Sequence, residues 1–556
     1  MRRIRTALFP VVSPKLDSRM PARKTASAAR ARWAACLLLA TTPLVAPAAP
    51  GKLVFQPYAF QTLEHGSIDA EVAYLDVPAR HAAPDAAAMR LRVVRLPATG
   101  GDGRAAPVVY LAGGPGGSGV GTARGARWPV FEQVRQHADV LLLDQRGTGE
   151  SQRPPACPHT HRFEDAQALQ RDQALAALQH AAARCVAYWQ EQGIDLGAYT
   201  SAESADDIAA LRAALGVPRL SLWGMSYGTH LAMAALRRHG DGIERVVLMG
   251  AEGPDDTLKQ PLSADALLAE LEVVAAEQGF ADLTGAASRV LARLQQQPAQ
   301  GRSLIHRGRQ VTLGAFDAQL AMAAAVGRRS AQQILPLALQ DAEQGNYDLL
   351  ASLVLAVREE IVQLRAMPLA MELASAQSPA RRTLVEQQAA HSLLGNAINF
   401  PFPELGDSLG LIDLGDDYRG PLHSDAPTLF ISGTLDGRTP PANAAALLPG
   451  FSNGVQLLVR NASHDDELWL GHADISASIA HFLAGKSVSN TELSVPPPVF
   501  AKSKLDLVAG LLGVSATLLL TVLGALIAVL VGAVALLWRW RKKRRARRSG
   551  LVKANG

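Results

Sequence analysis

Apolar and polar positions follow two rhythms along this chain. From about residue 52 to 98 they alternate, as in Met89-Arg-Leu-Arg-Val-Val-Arg-Leu96, which predicts strands after a Pro/Ala-rich turn. Short unbroken apolar runs come next: Pro107-Val-Val-Tyr-Leu-Ala112, Ala138-Asp-Val-Leu-Leu-Leu-Asp144, Arg219-Leu-Ser-Leu-Trp223 and Arg245-Val-Val-Leu-Met249. Amphipathic helical patterns flank the later ones, at Ser204–Leu215 and Thr229–Arg238. Strands that are apolar throughout, alternating with helices, predict a mostly parallel sheet covered on both faces. Between about 256 and 400 strand signals nearly vanish and Ala/Leu/Gln-rich helical patterns take over. The α/β rhythm resumes with Pro427-Thr-Leu-Phe-Ile-Ser432 and Gly454-Val-Gln-Leu-Leu-Val459 and closes on a helix near 473–484. One α/β domain (49–255 and 401–485) interrupted by a helical insertion (256–400) is the expected organisation.

The two ends carry different patterns. A basic stretch with Arg23, Lys24, Arg30 and Arg32 leads into the apolar run Trp33–Ala40 and then Ala46-Pro-Ala48, the layout of a cleaved export signal over 1–48. A start at Met20 would give such a signal its ordinary length. At the other end Leu507 to Trp538 is 32 residues without a charge, followed by a basic tail over 539–556 that begins Arg539-Trp-Arg-Lys-Lys-Arg-Arg545. Roughly 20 apolar residues suffice to span a bilayer, and a dense cationic flank marks the cytoplasmic side. The expectation is a single-pass cell-membrane protein with its main domain on the extracytoplasmic side. Residues 486–506, with Pro496-Pro-Pro498, read as a stalk. Gly524, Ala528 and Gly532 repeat at four-residue spacing, a small-residue face that would let spans self-associate, against the plainer reading of a span's ordinary composition.

Charge changes this picture in one respect. The formal net charge is +5, yet 1–48 holds nine Lys/Arg and one Asp, and 539–556 holds nine and no acid. The 37 basic residues left between them face 49 acidic ones, a net of −12, so nucleic acid is excluded as a partner of the folded part. Cysteine adds a second point. Only Cys157 and Cys185 follow the signal, and two cysteines in an oxidising compartment most often pair, so a Cys157–Cys185 disulfide is expected over two separately buried thiols.

The candidate chemistry lies at the ends of the apolar runs. Gly224-Met-Ser-Tyr-Gly228 follows a strand and opens a helix, the setting of a nucleophile elbow that lifts Ser226 above the sheet edge. A second G-x-S-x-G, around Ser452, follows a helix and precedes a strand, which makes it a turn. A serine nucleophile needs a base, and the base an orienting acid. His464 and Asp436 each follow a strand in the resumed α/β segment, and the order Ser226, Asp436, His464 is the α/β-hydrolase order. Ala112-Gly-Gly-Pro-Gly-Gly-Ser-Gly119 also follows a strand and exposes backbone N–H groups, so Gly114 and the N–H of Tyr227 are the candidate oxyanion donors. Gly114, Gly116 and Gly119 fit a dinucleotide fingerprint as well, with Asp144 as ribose acid, but a glycine-rich loop matches that pattern cheaply. Neither a metal nor a cofactor is called for.

Gly113-Gly-Pro-Gly116, Asp144-Gln-Arg-Gly-Thr-Gly-Glu-Ser151 and Gly224-Met-Ser-Tyr-Gly228 together resemble the proline iminopeptidase and tripeptidyl aminopeptidase group of α/β-hydrolases, over roughly 60–485. The resemblance implies a serine hydrolase with a helical cap that removes N-terminal residues or short peptides. Two departures leave substrate choice open: Ala112 where iminopeptidases often carry His, and Gly437-Arg438 where related chains often carry Pro-Val. The resemblance also implies a cap carboxylate that holds the substrate's free ammonium. Glu372 is its candidate, against the plainer reading of a solvated helix glutamate. Asp144 and Arg146 are expected to brace the oxyanion loop. An esterase with the same triad and a non-catalytic binding module are the alternatives, so the expected partner is a peptide or a small ester.

Overall fold

The computed structural model describes residues 53–84, 87–101, 105–488, 492–511 and 537–538. The proposed signal, the basic tail, Gly524, Ala528, Gly532 and most of the proposed span lie outside these residues. Among the described residues no helix is long and apolar enough to cross a membrane.

The early alternating segments form β1 (Gln56–Gln61), β2 (Ser67–Pro78) and β3 (Ala88–Leu96), an antiparallel flank. The apolar runs form β4 (Val108–Leu111), β5 (Val140–Leu143), β6 (Leu220–Met225) and β7 (Ile243–Met249). A small separate hairpin, β8 (Ala299–Arg302) with β9 (Gln310–Leu313), sits in the insertion. The main sheet then resumes with β10 (Thr428–Gly433), β11 (Gly454–Arg460) and β12 (Glu492–Ser494). Its order is β1-β2-β3-β5-β4-β6-β7-β10-β11-β12, parallel from β5 onward.

Burial explains why these strands are apolar without a break. Val109 and Leu111 of β4 point into one hydrophobic layer, with the elbow helix Tyr227–His239, while Val108 and Tyr110 point into the other. β5 divides in the same way, Leu141 and Leu143 against Val140 and Leu142. With both faces covered, period-two alternation disappears from the sequence. The second layer centres on Tyr110, Phe131, Trp223 and Trp469, whose ring centroids lie 4.7–6.0 Å apart.

From Pro261 to Arg419 the chain is largely helical and enters between β7 and β10, so it rises from the end of the sheet where parallel strands finish. The β8–β9 hairpin has no counterpart in the sequence reading, because Ala299-Gln-Gly-Arg302 lacks β-branched residues and packs instead on the helix Asp348–Ile361.

The expected stalk is only partly one. Glu492–Ser494 adds to the sheet edge beside β11, and Val495, Phe500 and Ala501 are buried. Gln278 clasps this stretch at both ends, donating to the Pro498 carbonyl (2.7 Å) and accepting from the Phe500 N–H (3.0 Å). Phe500 also meets Phe280 edge-on. A Pro-rich composition suggests an exposed spacer, but the apolar residues beside those prolines find a hydrophobic seat on the domain.

Cys157 and Cys185 form a disulfide that ties the loop after β5 to the helix Arg171–Glu191, across a sequence separation of 28. Closing a loop of that size stabilises by about 3 kcal/mol through the unfolded chain. Reduction should therefore lower the thermal midpoint by several degrees while leaving most hydrolytic activity at 25 °C, measured as paired melts and rates with and without reductant. An unchanged melt would show the bond to be structurally idle.

Candidate active site

The candidate residues converge because parallel strands deliver their following loops to one edge of the sheet. β4 leads to the Gly113–Gly116 loop, β6 to Ser226, β7 to Glu252, β10 to Asp436 and β11 to His464. Ser226 sits at φ 55°, ψ −124°, a conformation that non-glycine residues seldom adopt. The turn is held from both sides. The Ser226 N–H donates to the Met249 carbonyl, and the Thr229 N–H and hydroxyl both donate to the Ser226 carbonyl. A Cβ on Gly228 would come within 2.0 Å of the Leu111 carbonyl oxygen, so the elbow helix can approach β4 only as glycine.

His464 Nε2 lies 2.9 Å from Ser226 Oγ, and its Nδ1 lies 2.7 Å from Asp436 Oδ2. A carboxylate only accepts, so Nδ1 carries the proton and Nε2 is left to accept from the serine hydroxyl. Asp436 is 1% exposed and fully engaged. Its Oδ1 accepts from the N–H groups of Arg438 and Thr439, both at 2.8 Å, and its Oδ2 accepts from the Thr439 hydroxyl at 2.8 Å. Thr439 was not singled out in the sequence, since a threonine three residues after an aspartate is an ordinary turn signal. The departure at Gly437-Arg438 costs the acid nothing: the contact made at 438 is a backbone N–H, which Arg provides.

The glycine loop lies directly against the nucleophile. A Cβ on Gly113 would meet the Met225 carbonyl oxygen at 2.7 Å and Ser226 Cβ at 3.0 Å. Gly114 follows at φ 129°, and Tyr227 is the first residue of the elbow helix. Both candidate donors thus border Ser226. Asp144 braces this loop as expected: its Oδ1 accepts from the Ser118 hydroxyl (2.6 Å) and the Val120 N–H (3.2 Å), its Oδ2 from the Glu150 N–H (2.9 Å). Arg146 does not share that task. It is fully buried on the far side, in an ion pair with Asp207, and donates to the carbonyls of Ala79 and Ala198. Its role is to fasten the β5 loop to the helix Ser201–Leu215.

His230, a sequence competitor for the base, is buried away from Ser226. It donates from Nδ1 to the Gly253 carbonyl (3.0 Å), while Nε2 accepts from the Tyr418 hydroxyl (2.7 Å). Burial lowers its pKa, consistent with a neutral ring in that pattern. Ser452 is in a surface turn, donating to Asp425 (2.6 Å).

Glu372 lies on the cap helix Ala366–Ser375 and is partly buried, not solvated. Burial, and then the nearby charge of Glu252, push its pKa up to about 7, against the pull of Lys259 and Arg438. Glu252 is the residue that sequence reasoning missed. It follows β7, is 6% exposed and accepts from Lys259 Nζ at 2.6 Å. Burial opposes its ionisation, but the charge and hydrogen bond of Lys259 lead the opposing effects and hold its pKa below the usual value. A glutamate three residues past a strand carries no local signal; only the fold sets it opposite Glu372.

This sheet has the α/β-hydrolase fold, and its Ser–His–Asp group is laid out as in the serine hydrolases of that fold. Residues 106–287 match the family described as alpha/beta hydrolase fold. The curated relatives are peptidases: serine protease Hip1 of Mycobacterium tuberculosis, 29% identical over 217 residues, which is 37% of this chain and 39% of that protein. The tripeptidyl aminopeptidase of Streptomyces coelicolor is 30% identical over 199 residues, 33% of this chain and 35% of that one. The chain thus spans under two fifths of the length of the relatives it matches. Among solved structures, the proline iminopeptidase of Mycobacterium smegmatis aligns with a TM-score of 0.35 at 15% identity, over 74% of this chain and 98% of that one.

Proposed function

We propose that this protein is a membrane-anchored, extracytoplasmic aminopeptidase that releases N-terminal residues or short peptides through an acyl-enzyme. Ser226 attacks the carbonyl carbon while His464 takes its proton, and Asp436 keeps the ring oriented and stabilises the imidazolium. The N–H groups of Gly114 and Tyr227 receive the tetrahedral oxyanion. His464 then protonates the leaving amine, the C–N bond breaks, and water repeats the sequence to free the acylated fragment. The anchoring and location rest on the charge-free run 507–538 with its basic flank and on the export-signal layout of 1–48.

The observation that carries the peptidase reading is the acid pair Glu252 and Glu372: Lys259 is bound to Glu252, while among the described residues Glu372 has no ion-pair partner and feels Lys259 and Arg438 only through space. A substrate ammonium placed there would supply the missing positive charge, as the names of the curated relatives suggest for an amine-bearing substrate. Esters without an amine gain nothing from it. Peptides with free N-termini should therefore be cleaved far better than acetylated ones, and Glu372→Gln should shrink that preference mainly through KM.

The preference should also depend on pH, with a determined sign. Below about pH 7 Glu372 is largely protonated and offers no full charge; above it the carboxylate is available. The peptide α-ammonium itself is lost near pH 8. The free-to-acetylated ratio of kcat/KM should thus rise as pH climbs through about 7 and fall again beyond about 8, and Glu372→Gln should remove the rising limb. Equal rates on free and blocked peptides at every pH would end the aminopeptidase reading and leave the hydrolase standing.

A further inference from the structure

A cavity of about 950 Å³ reaches the glycine loop at Gly116, and the proposed hydrolysis makes no use of it. It begins at Gly116 of the glycine loop and extends between the segment after β5, from Gly147 to Asp165, and the cap residues 358–368. Its position follows from the strand order. β4 and β5 lie on one side of β6, and β7 and β10 on the other. Ser226 therefore stands between the cavity and the acid pair Glu252–Glu372.

The cavity wall is cationic after its internal pairs are counted. Arg309 binds Asp165 at 2.7 Å and also Glu359, and Arg358 binds the buried Asp317 at 2.7 Å. Both wall carboxylates, Asp165 and Glu359, are thereby engaged. Arg162 reaches Asp165 only at 4.0 Å and is 80% exposed. Among the described residues, Arg153 and Arg365 have no ion-pair partner. Arg365 is the one beside the chemistry: a Cβ on Gly116 would lie 3.8 Å from its Nη1 and 2.8 Å from Pro368 Cγ.

One helix joins the two charged regions. Arg365 stands at the N-cap position of Ala366–Ser375 without a side-chain capping bond, Pro368 covers Gly116, and Glu372 faces Glu252. Seven residues of helix rise about 10 Å and return to nearly the same side. An extended peptide covers that distance in about three residues. The cationic end and the anionic end thus bracket the scissile position at peptide scale.

We propose that Arg365, with Arg153 and Arg162 behind it, forms a carboxylate-recognising subsite on the leaving-group side, a reading that rests on the aminopeptidase function proposed above. If the acyl part runs from Ser226 toward Glu252 and Glu372, the released segment leaves over Gly116 into this cavity. A carboxylate in that segment, from its C-terminus or from an Asp or Glu side chain, pairs with the guanidinium of Arg365. The leaving fragment is thereby selected for negative charge, and the substrate is held by opposite charges at its two ends.

The test uses full-length protein and peptides that share a free N-terminus and an acyl part. One carries Glu in the released segment, its twin carries Gln, and each is made with a free and an amidated C-terminus. The anionic member of a pair should show a kcat/KM about fivefold higher, the upper range for an ion pair that solvent can reach. Arg365→Gln should abolish that ratio and Arg365→Lys should keep part of it, while the preference for free over acetylated N-termini stays intact in both. A response to amidation alone identifies the C-terminal carboxylate as the ligand, and a response to Glu against Gln identifies a side chain. No discrimination in the wild-type protein, or an Arg365→Gln variant that slows every peptide equally, overturns the subsite. Anion preference without any preference for free N-termini would keep the subsite and overturn the amine reading. Peptide affinities for the Ser226→Ala protein provide the same comparison without turnover, and equal Kd values for the Glu and Gln peptides would overturn it there.

Discussion

Replacing Ser226 by Ala should reduce hydrolysis by about 10⁴–10⁶-fold and abolish labelling by fluorophosphonates, with the melting temperature nearly unchanged. The loss is large because the hydroxyl is the only atom removed and every later step depends on the acyl-enzyme. The fold should tolerate it, because the contacts holding the elbow are to the Ser226 backbone: its N–H to Met249, and its carbonyl from Thr229. The unusual φ is set by those contacts and by the glycine fit at 228, and Ala accepts it about as well as Ser. Ser452→Ala, in the surface turn, is the matched control and should retain full activity. Retained labelling in the Ser226 variant would transfer the nucleophile assignment elsewhere.

Asp436→Asn should cost about 10⁴-fold in kcat with the protein still folded, through a proton placed on the wrong nitrogen. Two backbone N–H groups, of Arg438 and Thr439, point at Oδ1 and demand an acceptor there. The Asn carbonyl must take that place, so its NH₂ occupies the position of Oδ2, facing His464 Nδ1 and the Thr439 hydroxyl. An amide N–H there donates to Nδ1, which moves the ring proton to Nε2 and leaves nothing to accept from Ser226. Activity should recover at high pH, as hydroxide ionises the serine without the base. A loss under tenfold would mean that His464 is oriented by other contacts, with Thr439 the first to suspect.

The sequence and the structure agree most closely where chemistry is written into a short segment. The strand–turn–helix around Ser226 was legible because an apolar run, two glycines and a helical pattern are all local, and each has a mechanical reason in the packed structure. The oxyanion loop was legible for the same reason. The opposite happened with the segment 486–506. Its prolines suggested an exposed stalk, while Gln278 and Phe280, more than 200 positions earlier, provide the seat that buries part of it. Arg146 was misassigned in the same manner: its motif neighbour Asp144 serves the glycine loop, but its own partner, Asp207, lies 61 residues on.

By itself the sequence pointed to the α/β alternation, to a helical insertion within it, and to Ser226, Asp436 and His464 as residues that meet at the strand ends. Each of these follows from periodicity or from a motif within about ten residues, where backbone geometry constrains which side chains can work. Tertiary structure alone decided which distant groups share a space. It placed Glu252 opposite Glu372, Thr439 against the acid–base pair, and Arg365 over Gly116. Such pairings join loops from different strands and from the cap, and no local pattern encodes them. They exist because a parallel sheet delivers its loops to one edge, and because burial of groups such as Glu252 and Asp436 there makes an unpaired charge costly.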